Sequence, residues 1–68
     1  MMQPDPATEW FAVRGYSLRF WEEDSAVWVD LILIRTGVVS WPRYGKGKSV
    51  ADAAQRAVER YREEQGDG

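Results

Sequence analysis

From Ala26 to Ile34 the chain runs Ala-Val-Trp-Val-Asp-Leu-Ile-Leu-Ile, apolar at every position but Asp30. A strand with one solvated face alternates apolar and polar residues. A run without that alternation predicts a central strand covered, at least in part, on both faces. Upstream, Tyr16, Leu18 and Phe20 alternate with Ser17, Arg19 and Trp21, which predicts a second strand with two distinct faces. Phe11 and Val13 extend this strand-like pattern back across Gly15, a position suited to a bulge or a close approach. Residues 1–8 carry Pro4, Asp5 and Pro6 without periodicity and are expected to form a flexible N-terminal arm, leaving 9–66 as a single domain.

Turn residues divide the pattern into a meander. With Glu23 and Asp24 as the first loop, Phe20 faces Val27, Leu18 faces Val29 and Tyr16 faces Leu31 on one side. On the other side Arg19 faces Trp28, Ser17 faces Asp30 and Val13 faces Ile34, with Gly15 against Ile32. With Thr36 and Gly37 as the second loop, Ile34 faces Val39, Ile32 faces Trp41, Asp30 faces Arg43 and Trp28 covers Gly45. Pro42 makes this third strand an edge, since proline cannot donate to a ladder.

The period changes to helical after Ser49. Ser49 as N-cap and Asp52 three positions on resemble a capping box, and Gly66 is placed to end a helix running to about Gln65. Val50, Ala53, Ala54, Ala57, Val58 and Tyr61 share one face at spacings of three and four. Such small residues let a helix approach a sheet whose inward side chains are large. The expected fold is therefore α+β, a three-stranded antiparallel meander followed by one C-terminal helix on one sheet face.

The second sheet face then has no element left to cover it. Val13, Arg19, Trp21, Trp28, Asp30, Ile32, Ile34, Val39, Trp41 and Arg43 are assigned to it, an apolar patch with arginines and one acid at its rim. Patches of this kind mark interaction surfaces, and a two-fold homodimer or a docked protein partner is the expected occupant. The structural alternative is the N-terminal arm folded across it, with Trp10 or Phe11 as lid.

Composition sharpens this reading. With 68 residues the chain is near the lower size at which a hydrophobic core holds a fold unaided, and it has neither cysteine nor histidine. Disulfides and the usual zinc and iron sites are thereby excluded, and no cofactor is expected. Four tryptophans are many for this length, and tryptophan is enriched where partners dock. A net charge of −2 and a pI near 5.0 give no overall attraction to nucleic acid. Without a basic leader or a membrane-length apolar run, the expectation is a soluble, cytoplasmic protein with no membrane partner.

Candidate chemistry is confined to one segment. Arg43, Lys46, Lys48 and Ser49, with Gly45 and Gly47 between them, lead into the helix start, where backbone amides and cations can cradle a phosphate. The plainer reading is a solvated turn whose glycines serve the strand-to-helix corner. Gly47-Lys48-Ser49 matches the end of a phosphate-binding loop, but its first glycine is replaced by Pro42 and the nucleotide-hydrolysing fold does not fit this length. No catalytic constellation is present: the acids cluster in Glu22–Asp24 and on the helix's wet side, so no enzymatic activity is expected.

Gly45-Lys46-Gly47-Lys48-Ser49 followed by Ala53 and Ala57 resembles the last strand-to-helix segment of double-stranded RNA-binding domains. The strand-strand-strand-helix order is similar to that of HicB-type antitoxins. The likeness covers about the last third of the chain and implies Lys46 and Lys48 as phosphate contacts. Val50 and Ala51 stand where the RNA-binding family has lysines. That family's first helix has no counterpart in the pattern, and the proline-rich motif of HicB proteins is absent.

Overall fold

The computed structural model describes residues 6–66. Its elements are α1 (Pro6–Val13), β1 (Tyr16–Glu23), β2 (Ala26–Leu33), β3 (Val39–Gly47) and α2 (Val50–Glu64). The strands form one antiparallel sheet in the order β1-β2-β3, with the apolar run in the centre. The α+β meander and its C-terminal helix are as the hydrophobic pattern requires.

The helix α2 begins and ends where its caps stand. Ser49 is extended and its hydroxyl accepts from the Asp52 amide at 3.1 Å, while Gly66 takes a φ of 71° just beyond the last turn. Ala53, Ala54, Ala57 and Val58 are buried against the sheet. Gly45 and Gly47 admit that helix. A Cβ on Gly45 would lie 2.7 Å from the Ala53 carbonyl oxygen and 3.0 Å from the Ala57 Cβ. One on Gly47 would lie 2.5 Å from the Ala53 nitrogen. Two glycines at strand spacing thus face two alanines at helix spacing, and backbone meets backbone.

The first helix departs from the sequence reading. Residues 6–8 belong to α1 and not to a flexible arm, and Trp10 to Val13 are helical where a strand is expected; residues 1–5 lie outside the described part. Pro6 opens the helix, and Ala7, Trp10 and Phe11 fall on one side of it at spacings of three and four. Ala7 and Phe11 are buried, and Trp10 and Phe11 meet Tyr61 of α2 edge to face at 5.5 and 5.6 Å. The N-terminal segment therefore packs beside α2 on the same sheet face, and no described residue of it lies across Ile32 or Trp28.

Both hairpin registers also differ. The first turn is Asp24-Ser25, with φ of 55° and 62° at its two central positions, the mirror-image turn that suits a twisted hairpin. Phe20 consequently faces Val29, Arg19 faces Asp30, Trp21 faces Trp28 and Ser17 faces Ile32. The shift is two residues, so each side chain of β1 and β2 keeps the face expected of it. The second hairpin closes with the Leu33 amide donating to the Val38 carbonyl at 2.9 Å, and the β2–β3 register then shifts twice. Ile32 faces Val39, Leu31 faces Trp41, Val29 faces Gly45 and Trp28 faces Lys46. Ser40 is the extra residue of the first shift and turns Trp41 onto the face of Leu31, after which Pro42, Arg43 and Tyr44 together stand opposite Asp30 in a wider bulge.

Candidate functional site on the open sheet face

The open face is organised by one buried carboxylate. Asp30 is only 2% exposed although no helix or strand among the described residues covers it. Trp21 Nε1 donates to its Oδ1 at 3.1 Å, the Arg43 backbone N–H to the same oxygen at 2.9 Å, and Arg19 donates Nε and Nη2 to Oδ2 at 3.2 and 2.8 Å. Burial pushes this carboxyl up, but the Arg43 amide, the Trp21 indole and the Arg19 guanidinium more than offset it and hold the group below its ordinary 3.8. Asp30 is thus ionised and fully partnered.

Around it two halves can be distinguished. Toward the β1–β2 turn, the Trp21 and Trp28 rings lie nearly parallel with centroids 5.9 Å apart. The Arg43 guanidinium stands 4.9 and 5.0 Å from these two rings, and the Lys46 ammonium 5.3 Å from Trp28. Trp28 Nε1 donates to the Glu23 carbonyl, and Arg43 pairs with the Glu23 carboxylate at 2.9 Å. Toward the other end, Ile32 and Val39 face one another, Ile34 is 54% exposed, and Ser17 lies opposite Ile32.

Of the residues assigned to this face, Arg19, Trp21, Trp28, Asp30, Ile32, Val39 and Arg43 are brought together, with Ile34 at its end. Val13 is not among them: it is the last residue of α1, 79% exposed and outside the sheet. Trp41 is not either. It faces Leu31 and its ring meets that of Tyr44 at 6.0 Å, on the side where the Tyr44 hydroxyl donates to Glu64 of α2 at 2.6 Å. Lys46 takes its place, a residue that strict alternation from Thr36-Gly37 puts on the opposite side. The one-residue shift at Ser40, between the Ile32–Val39 and Leu31–Trp41 pairs, causes both exchanges, since the wider bulge opposite Asp30 adds two residues and keeps the alternation. Alternation alone gives no warning of it, but a lone acid in an apolar strand signals that something must donate to it.

The four residues of the proposed anion cradle do not converge. Arg43 and Lys46 lie on the sheet face, while Lys48 and Ser49 are occupied at the helix start. There the Asp52 carboxylate accepts from the Lys48 amide at 2.9 Å, and this bond, ahead of the nearby Arg56, holds it below the ordinary carboxylate value. Asp52 supplies in cis the negative charge that a helix N-terminus attracts. A shallow depression beside it is lined by Lys46, Lys48 and Arg56 but equally by Asp24 and Asp52, so it is mixed in sign. Among the described residues no cluster of acids has metal-binding geometry, and no helix is long and apolar enough to cross a membrane.

No protein-family model, characterised protein or solved structure matches the chain.

Proposed function

We propose that this chain is a non-enzymatic docking module whose working surface is the open sheet face, and that it takes a protein segment bearing apolar side chains beside carboxylates. One observation carries this reading. Both helices pack on the same side of the sheet, and among the described residues no helix or strand covers the half-buried Trp21–Trp28 pair, Ile32 and Val39, which meet only side chains of their own sheet such as Arg43 and Lys46. The ligand chemistry follows from the charges presented there. Arg19, Arg43 and Lys46 are exposed, whereas Asp30 is buried beneath them and shows no charge to a partner. Rigid aromatic rings held by internal hydrogen bonds give contact area at small entropic cost, and rim cations select the partner.

Selection from a displayed library of random peptides is the test. Binders enriched in aliphatic or aromatic residues next to Asp or Glu are expected, with affinity falling about tenfold or more in Lys46→Glu and in Ile32→Lys. Peptides that bind both variants as well as the wild type would overturn the reading. So would double-stranded RNA or DNA that binds with a steep salt dependence through Arg43, Lys46 and Lys48, which is the signature of phosphate contacts.

A further inference from the structure

The two edges of the sheet are not alike. On β3 the outer edge is broken by Pro42, which has no N–H, and by the Arg43 bulge with its φ of 51°. The β1 edge carries no such device. Tyr16 to Glu23 pair with β2 in unbroken register, without proline, glycine or bulge. Which groups β1 turns outward can be read from its neighbours. The Ile34 amide donates to the Gly15 carbonyl at 3.0 Å, while Leu33 donates to Val38 and accepts from Gly37, so both its backbone groups point toward β3. Tyr16, opposite Leu33, therefore directs its N–H and C=O away from the sheet, and by alternation so do Leu18, Phe20 and Glu22.

We infer that β1 pairs antiparallel with β1 of a second copy about a two-fold axis at Phe20, joining two three-stranded sheets into one of six strands. This does not rest on what the open face takes. The side chains choose the register. With the axis at Phe20, Leu18, Phe20 and Glu22 each donate and accept across it, Leu18 opposite the partner's Glu22 and Phe20 opposite the partner's Phe20. On the open face Arg19 then lies opposite the partner's Trp21, with the partner's Glu23 on the diagonal, so a cation meets an aromatic ring and a carboxylate. Sliding one step toward Arg19 sets two guanidiniums against each other, and sliding one step toward Trp21 leaves Leu18 with no strand partner. A two-fold interface is self-complementary, and this strand's charges meet that condition. The added strand pairing also supports a small core that has no cysteine with which to cross-link itself. The two open faces become continuous, bringing both pairs of tryptophans onto one surface.

Sedimentation of the full chain and amide hydrogen exchange followed by NMR test the inference together. A dimer is expected, with the Leu18, Phe20 and Glu22 amides exchanging about tenfold or more slowly at dimer concentrations than on dilution. Glu22→Pro removes only an outward N–H and is expected to raise the dimer Kd about tenfold or more, with circular dichroism unchanged. A monomer up to about millimolar concentration would overturn the inference. A dimer whose β1 amides exchange as freely as in the monomer would do the same, as would a folded Glu22→Pro dimer of undiminished affinity. If Glu22→Pro fails to fold, the wild-type exchange pattern alone decides.

Discussion

The Arg43 backbone N–H donates to the Asp30 carboxylate at 2.9 Å, a side chain of the central strand standing in for a rung of the ladder. At that point β3 has Pro42, Arg43 and Tyr44 opposite one residue, and the ordinary strand-to-strand bonds cannot all form. Arg43 sits at a φ of 51°, which an L residue adopts only when its surroundings compel it. Asp30→Asn keeps the shape but offers an amide group to donors that need an acceptor. It is expected to destabilise the fold by about 2–3 kcal/mol in urea titration, and to change tryptophan fluorescence through Trp21.

The same carboxylate sets an acid limit. Its folded value lies below its ordinary 3.8, so the stabilisation is complete above 3.8 and is lost as pH falls through the folded value. Denaturant midpoints measured on either side of 3.8 should fall more steeply with acid in the wild type than in Asp30→Asn. Equal slopes would show that another group governs acid unfolding.

What could be read from the chain, and what could not, divides at β3. The unbroken apolar run gave the central strand, and Ser49 with the alanine stripe gave α2 to within a residue of its observed end. Face assignments on β1 and β2 held even though the turn lies one position later than expected, because a two-residue slip preserves the side-chain period. On β3 they failed for Trp41 and Lys46, since one extra residue at Ser40 inverts the alternation from there on and no local pattern marks it. The first helix was hidden differently. Its aromatic residues imitate a strand over a short span, while the Pro6 start and the spacing of Ala7, Trp10 and Phe11 hold the helical signal.

Gly45 and Gly47 distinguish packing from anion binding. Both stand where a Cβ would strike the α2 backbone, and the backbone cannot move aside as a flexible side chain can. Gly45→Ala and Gly47→Ala are each expected to cost about 1–3 kcal/mol in thermal or denaturant unfolding, through displacement of α2. Lys46→Ala, between them, should change stability by less than about 0.5 kcal/mol. If the two glycine variants fold as stably as the wild type, close helix approach is not the reason for the glycines.

Tyr44 ties the end of α2 to β3. Its hydroxyl donates to Glu64, Arg60 lies over its ring at 4.3 Å, and Arg60 also donates to the Tyr44 carbonyl at 3.0 Å. Burial, and then the Glu64 carboxylate, push the phenol well above its ordinary 10.0. Ultraviolet titration should therefore show a tyrosine that resists ionisation beyond pH 10 and is absent from Tyr44→Phe. Because the neutral form is the one held in the fold, the contribution is present below pH 10 and lost as pH rises through the folded value. At neutral pH the loss of the hydroxyl is expected to cost about 1 kcal/mol.

The start of α2 offers a direct check on whether a phosphate belongs there. Asp52 already accepts from the Lys48 amide while Ser49 accepts from Asp52, so two amides that an anion would need are engaged within the chain. Phosphate titrated at constant ionic strength is expected to give no saturable shift of the Lys48 and Asp52 amide resonances. Ser49→Ala should cost about 1 kcal/mol as an ordinary N-cap loss, with no dependence on phosphate. Saturable shifts in the wild type, abolished by charge reversal at Lys46 or Lys48, would restore the cradle and with it the nucleic-acid reading. Their absence leaves Lys46 to the sheet face, where its ammonium stands over Trp28.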